Sequence, residues 1–177
     1  QITILVYGGA NMTLSATDVE MSVDAFIGAD FVVAQLEVPF EAIEQAFKIA
    51  RKQNITTVLN PAPAIELPKS LLELTDIIIP NETEAELLTG ISINNESDMK
   101  ETATYFLDLG ISAVLITLGE QGTYCAYQEQ YKMIPACNVK AIDTTAAGDT
   151  FIGAFLSELN KDLSNLESAI RLANQAS

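Results

Sequence analysis

The sequence predicts an α/β domain in which a mostly parallel sheet carries helices on both faces, a three-layer α/β/α arrangement. Two observations lead to this prediction. Short apolar runs alternate with stretches of helical period along the whole chain, as they do in βαβ units. The apolar runs are nearly continuous, which is typical of strands that are buried on both faces. Because no linker or internal repeat interrupts the alternation, we expect a single domain over residues 1–177.

Each element follows from the period of its segment and from the residues that bound it. In residues 40–53, for example, Ile43, Phe47 and Ala50 fall on one face of a helix. Gly90 follows another helical pattern and is a typical C-terminal stop. The expected strands are 2–7, 30–37, 56–60, 76–80 and 112–119, followed by a hairpin of 122–128 and 130–136. The expected helices are 16–26, with Thr17 or Asp18 near its cap, then 40–53, 82–90, 98–110, 146–160 and 164–176.

The composition limits the classes of partner. The chain has 177 residues and is 49% hydrophobic, which is enough for a buried core. Its formal net charge of −15 repels nucleic acid and anionic lipid. No apolar run reaches the ~18 residues of a membrane span, and no signal-peptide pattern is visible. We therefore expect neither nucleic acid nor a membrane as partner, and an anionic ligand must be held by backbone N–H groups, helix N-termini or a metal ion.

The rare reactive residues give further limits. The chain contains no histidine, so a Ser-His-Asp site within it is excluded. Cys125 and Cys137 fit no zinc motif and no disulfide framework, and we expect two reduced, buried thiols in a cytoplasmic protein. The chain opens at Gln1 and stops within a helical pattern. We interpret it as an interior piece of a longer protein.

The most informative segment is "DTTAAGD", residues 143–149. A helix is expected to begin near Ala147, and its first N–H groups have no partners within the helix. Small side chains let an anion approach these groups, and Gly148 can adopt a φ that other residues resist. A carboxylate there, Asp149, could accept a proton from an attacking hydroxyl during phosphoryl transfer. For a single aspartate, the simpler alternative is a residue that stabilises the helix start.

Three stretches, "DTTAAGDTF", "LNPAPAIELP" and "IIPNETEAELLTGI", resemble the PfkB-type carbohydrate kinases. The first resembles their C-terminal signature, in which Gly commonly stands at the place of Ala146. The Ala-Ala form is similar to the ribokinase branch. The resemblance implies a Rossmann-like, ribokinase-like fold. It implies that Asp149 is the catalytic base, that the amides of Ala146, Ala147 and Gly148 form an anion hole, and that Asp143 and Thr145 hold K⁺.

The same resemblance suggests how Mg²⁺ and ATP are bound. Asn81 and Glu84 have the spacing of a helix capping box, and from spacing alone this interpretation is favoured. In the family, the Asn-x-x-Glu motif organises Mg²⁺, its waters and the phosphates. The residues that the resemblance assigns to the ATP site are Asn81, Thr117, Gly119, Gly122, Gly148 and Asn174.

The resemblance also implies a substrate. Glu37 would contact the sugar together with Asp149, while Asn60 shapes a loop and has no catalytic role. The implied reaction is ATP-dependent phosphorylation of D-ribose at O5. The alternatives are a related sugar or nucleoside kinase (a fructokinase, deoxyribokinase or adenosine kinase-like enzyme) or a catalytically inactive ATP-binding regulator.

In this family, the N-terminal part carries the sugar-binding segment and most of a lid through which many ribokinases form homodimers, and further cation ligands follow the region matched by this chain. We therefore expect residues 1–177 to be the C-terminal catalytic and nucleotide-binding part of a longer homodimeric kinase, poorly active in isolation.

Overall fold

The computed structural model describes residues 8–137 and 146–177. Its sheet has six strands in the order of the sequence. The strands are β1 (Phe31–Ala34), β2 (Thr56–Leu59), β3 (Ile77–Ile78), β4 (Ala113–Thr117), β5 (Thr123–Tyr127) and β6 (Gln130–Ile134). The first four strands are parallel, whereas β5 and β6 are antiparallel to their neighbours. The predicted mostly parallel sheet and the predicted hairpin are therefore confirmed.

One described α-helix precedes β1, and the others lie between the strands or after them. They are α1 (Ala16–Met21), α2 (Phe40–Lys52), α3 (Lys69–Leu72), α4 (Glu82–Thr89), α5 (Glu96–Asp108), α6 (Ala147–Glu158) and α7 (Leu166–Ala176). Gly90 ends α4 with a φ of 74°, the left-handed conformation that favours glycine at a helix end.

Alternate strand residues feed two cores on opposite faces of the sheet. On one face, Leu59, Ile78 and Val114 pack in a buried cluster with residues of α2–α5. On the other face, Val58 and Leu115 pack with residues of α6 and α7. Neighbouring residues of a strand point to opposite sides, so a buried run such as 113–116 serves both cores. The expected three layers are confirmed.

Several boundaries differ from the expectation. The cap of α1 is Ser15, and Asp18, expected near the cap, completes a capping box with it: the Ser15 hydroxyl accepts from the Asp18 amide, and the Asp18 carboxylate accepts from the Ser15 amide. The predicted helix over 16–26 breaks into α1 and a short 3-10 helix, Val23–Phe26. Strand β1 ends at Ala34 instead of residue 37, because the next residues turn and the Leu36 amide donates to Ala62 O at 2.8 Å.

Other differences are smaller. Helix α5 begins at Glu96, two residues early, because the Asn95 side chain caps it. Helix α3 has only four residues and was not expected. The predicted strand over 2–7 lies outside the described residues. No helix among the described residues has both the length and the apolar character needed to cross a membrane.

Candidate active site

Two adjoining cavities lie at the carboxyl edge of the parallel strands, where ligands bind in open α/β sheets. The larger cleft has a volume of about 400 Å³ and the smaller pocket about 200 Å³. Both are lined by Asn81, Thr117, Ala147, Gly148 and Phe151. None of the described residues around either cavity is a lysine or an arginine. A phosphate placed here must therefore be neutralised by backbone amides or a cation, as the acidic composition suggested.

The start of α6 forms the wall between the two cavities. Its first hydrogen bond inside the helix runs from the Thr150 amide to Ala146 O at 2.9 Å. The amides of Ala147, Gly148 and Asp149 precede that bond, so they belong to the first turn, whose N–H groups lack partners within a helix. The positive helix end and its amides are thus directed towards the edge at which both cavities lie.

The positive φ in this segment belongs to Ala146, not to Gly148 as expected. Ala146 has φ 61° and ψ 17°, a left-handed conformation that costs an alanine about 1–2 kcal/mol. This explains why glycine suits the position. Gly148 instead lies inside α6, and a Cβ built on it would meet nothing within 4 Å. The fold does not need a glycine at 148, and the missing side chain leaves space in both cavities.

Asp149 lies in the first turn of α6 with an exposed side chain. It lines the smaller pocket together with Glu84 and Asn60. The carboxylate therefore points towards the pocket edge and not into the core, which is the placement that a proton acceptor requires. An acidic residue in a first helical turn also favours the helix dipole, and the two effects are compatible.

Asn81 and Glu84 form the capping box that their spacing predicted. Asn81 Oδ1 accepts from the Glu84 amide at 2.8 Å, and Glu84 Oε2 accepts from the Asn81 amide at 2.9 Å. Asn81 Nδ2 also donates to Glu84 Oε1 at 2.9 Å. Glu84 is only 5% exposed, and burial raises the pKa of its carboxyl, although the hydrogen bond from the Asn81 amide opposes this shift.

This pair can hold Mg²⁺ through the metal's water ligands. Each Glu84 oxygen already accepts one hydrogen bond, which leaves further lone pairs for metal-bound water. In the part of the chain that the structure describes, no cluster of three or more His, Cys, Asp or Glu side chains could cage a metal. Mg²⁺ commonly keeps several waters and binds through few carboxylates and substrate phosphates, so the donor set is suitable.

The turn between β4 and β5 forms another wall of the larger cleft. Gly119 and Gly122 have φ values of 54° and 106°. A Cβ on Gly122 would lie 2.5 Å from Ala136 N and would collide with Ile134 O, so only glycine fits there. Thr117 ends β4 at this turn, and its amide donates to Pro80 O at 2.9 Å.

Asn174 lines the larger cleft, but its polar atoms serve the fold. Its Oδ1 accepts from Thr123 Oγ1 at 2.8 Å, and its Nδ2 donates to Ile134 O at 3.0 Å. The side chain is buried and ties the end of α7 to β5 and β6. Because these hydrogen bonds hold the Asn174 side chain in place, a ligand in the cleft would contact a side chain whose position is already set by the fold.

The remaining predicted residues lie elsewhere. Glu37 is exposed and lines a different cavity of about 370 Å³ beyond β1, with Leu14 and Val38. Glu37 does not line either of the two cavities at the start of α6. Asp143 and Thr145 lie outside the described residues.

Sequence reasoning missed Phe151, which is buried and lines both cavities. The sequence signal that could have identified Phe151 is its position one turn into α6, just after the small residues 146–148.

The chain is similar to known carbohydrate kinases over its whole length. The family model "pfkB family carbohydrate kinase" matches residues 1–177. A ribokinase of Staphylococcus aureus is 63% identical over the whole chain, which spans 58% of that protein. A deoxyribokinase of Salmonella typhi is 37% identical over 86% of the chain, spanning 50% of the relative.

A solved Arabidopsis thaliana ribokinase, complexed with ribose and ATP, matches 98% of the chain with a TM-score of 0.85 and 30% identity, and the match covers 57% of that structure. The chain thus spans little more than half the length of these relatives. It belongs to the pfkB family of carbohydrate kinases.

Proposed function

We propose that the protein to which this chain belongs transfers the γ-phosphoryl group of ATP to O5 of D-ribose, giving ADP and D-ribose 5-phosphate. One observation carries this proposal: the start of α6 presents an open glycine, Gly148, and a carboxylate, Asp149, to the same pocket. A relative that is 63% identical to the chain is a ribokinase, and the Arabidopsis ribokinase is complexed with ribose and ATP.

Each wall of the site has a task in the reaction. ATP occupies the larger cleft, with the adenosine end against Gly119, Gly122 and Asn174 and the phosphates towards Gly148. The amides of Ala146, Ala147 and Gly148 stabilise the charge that develops on the transferred group. Asp149 accepts the proton of the sugar hydroxyl as its oxygen attacks in line.

Cations complete the charge balance of a site lined by no basic side chain among the described residues. Asn81 and Glu84 would hold Mg²⁺ through its waters, and Asp143 and Thr145 would hold K⁺. Bound Mg²⁺ neutralises charge on the phosphate oxygens. Burial raises the pKa of Glu84, and a nearby cation would lower it and favour the carboxylate.

The rest of the longer protein supplies what the chain lacks. We assign to it most of the sugar contacts, the lid and the homodimer interface, with Glu37 as the sugar contact from this part. The chain acts as one catalytic and nucleotide-binding domain of that protein. The cytoplasm is the proposed compartment, because free thiols such as Cys125 persist there.

Asp149→Asn in the full-length protein tests the base. The amide cannot accept the proton, so kcat should fall by about 10²–10⁴, while the affinity for ATP stays near that of the wild type. Coupled ADP release measures the first quantity, and binding of a fluorescent ATP analogue measures the second. Turnover within about tenfold of the wild type, less than a general base contributes, would refute the assignment.

A deoxyribokinase is the second candidate, because one such enzyme matches 86% of this chain. Asp149 and the start of α6 would act in the same way, since neither feature distinguishes the two sugars. A panel of ribose, 2-deoxyribose, fructose and adenosine with the full-length protein, compared by kcat/KM, separates these kinases. ATP binding without turnover of any of them would indicate an inactive regulator.

A further inference from the structure

Asn60 lies in the smaller pocket but has no part in the reaction described above. It follows β2 directly and is half-buried. It lines the pocket together with Asp149 and Glu84. A polar side chain beside a phosphoryl-transfer pocket needs an explanation, which the hydrogen bonds around it supply.

The side chain of Asn60 donates a hydrogen bond where the backbone of the sheet has no N–H group. Leu59 is paired with Ile78, so Asn60 lies opposite Ile79, whose amide donates to Leu59 O at 2.9 Å. In a parallel ladder, Ile79 O should accept from the residue after Asn60. That residue is Pro61, which has no N–H. Asn60 Nδ2 donates to Ile79 O instead, at 2.8 Å.

Asn60 also binds the strand on its other side. The backbone amide of Asn60 donates at 2.9 Å to the carbonyl oxygen of Ala34, the last residue of β1. One residue therefore joins the carboxyl ends of β1, β2 and β3. Since proline removes the ordinary bond to Ile79 O, the Asn60 side chain supplies the last hydrogen bond between β2 and the end of β3, in addition to the bond from the Ile79 amide to Leu59 O.

The end of β3 determines where the Asn81–Glu84 pair lies. Ile79 is two residues before Asn81, the N-cap of α4. Between them, Pro80 O accepts from the Thr117 amide on the β4 side at 2.9 Å. The short segment 79–81 is thus held from β2 by the Ile79 amide and the Asn60 side chain, and from β4 through Thr117. If the Asn60 bond is lost, Ile79 O loses its partner, and the cap and the start of α4 can shift relative to α6.

We propose that Asn60 is a positioning residue for phosphoryl transfer, whose side-chain amide fixes the end of β3 and so keeps Asn81 and Glu84 facing the phosphates across from Asp149. This inference rests on the proposed function, because it assigns to that pair the organisation of Mg²⁺ and phosphate.

The test uses Asn60→Asp and Asn60→Ala in the full-length protein. The first retains the shape but loses the donor, and the second removes the side chain without adding charge. We expect the Mg²⁺ concentration for half-maximal activity to rise by about tenfold or more, as for other residues that orient metal-binding groups. The KM for the sugar should change by less than about twofold, since the Asn60 side chain donates to Ile79 O and is assigned no contact with the sugar. Mg²⁺-dependent binding of a fluorescent ATP analogue gives a second readout that needs no turnover.

Thr57→Val is the matched control. Thr57 also ties β2 to neighbouring backbone, with Oγ1 donating to Leu74 O at 2.7 Å, but at the opposite end of the strand. The control should lower Tm and leave the Mg²⁺ dependence unchanged. If both Asn60 variants also lower only Tm, or change neither Tm nor Mg²⁺ dependence, the inference is wrong. Asp149→Asn separates a failure of the proposed function from a failure of this inference. If Asp149→Asn turns over ribose as fast as the wild type, the proposed function is wrong. If its turnover collapses but the Mg²⁺ dependence of both Asn60 variants equals that of the wild type, only the inference about Asn60 is wrong.

Discussion

Ala146 and Gly148, two small residues at the start of α6, are small for different physical reasons. Ala146 has a positive φ, so its small size limits backbone strain. Gly148 is helical, and a Cβ there would meet no protein atom within 4 Å. The small side chain of Ala146 is therefore explained by the backbone conformation, whereas the missing side chain of Gly148 leaves room for a ligand.

Gly148→Ala should therefore separate folding from activity. Alanine stabilises a helix by about 0.5–1 kcal/mol relative to glycine, so the free energy of unfolding should not fall. The new methyl group occupies the space in front of the first amides, and ATP affinity and kcat should drop by about tenfold or more, as expected when reacting groups are displaced by about 1 Å. Thermal unfolding and ADP release measure the two effects.

Gly153→Ala is the control for this experiment. Gly153 lies in the same helix with equally open surroundings but lines neither cavity. Its variant should gain similar stability and keep full activity. Equal activity of the two variants would show that the space at Gly148 is not used.

The two cysteines differ in exposure, contrary to the expectation that both are buried. Cys125 is 7% exposed, whereas Cys137 is exposed. Burial raises the pKa of the Cys125 thiol to about 12, with a further contribution from Glu167 that Lys132 partly offsets. The thiolate is the reactive form, so Cys125 is inert at neutral pH.

Iodoacetamide at pH 8 should therefore label Cys137 and spare Cys125 in the folded protein. Peptide mass spectrometry resolves the two sites. The Cys137→Ser variant should have no labelled peptide from this pair until denaturant is added. Rapid labelling of Cys125 under native conditions would contradict the buried placement.

At the scale of elements, the turn between β4 and β5 is the most constrained part of the site. Gly119 and Gly122 both have positive φ, but only Gly122 is pressed against the backbone of residues 134–136. Leu118 N donates to Gly122 O at 2.8 Å and closes the turn. Its shape positions both the end of β4 and one wall of the larger cleft.

Gly122→Ala should destabilise the protein more than Gly119→Ala. The second change costs about 1–2 kcal/mol for a left-handed alanine, and the first adds a backbone collision on top of that strain. Chemical denaturation should rank the variants in this order. Equal losses of stability would show that the segment after β6 moves aside without cost.

At the scale of the whole molecule, the sheet separates two cores and brings the site to one of its edges. Helices α2–α5 cover one face, and α6 and α7 cover the other. The site lies where α4, from the first layer, and α6, from the second, meet over the ends of β3 and β4. The Asn81–Glu84 pair and the start of α6 thus reach the site from opposite faces of the sheet.

Residues 1–177 alone should turn over ribose at a rate at least about 10²-fold below that of the full-length protein, because the sugar is not held in line with the γ-phosphorus. Coupled ADP release measures turnover, and circular dichroism verifies that the chain is folded. Normal ribose turnover by the folded chain alone would show that its sugar site is complete.

Local patterns in the sequence determined the alternation of strands and helices, the capping box of Asn81 and Glu84, the glycine stop of α4 and the small residues at the start of α6. These features depend on residues within about one helical turn or one strand of each other, where period and side-chain chemistry act directly.

Only the tertiary structure decided that Asn174 is tied to Thr123, fifty-one positions away, that Asn60 replaces the missing amide of Pro61, and that Cys125 is the buried thiol. These outcomes depend on strand register and on packing between distant segments. No local pattern encodes them, because the partner of each group is chosen by the pairing of the whole sheet.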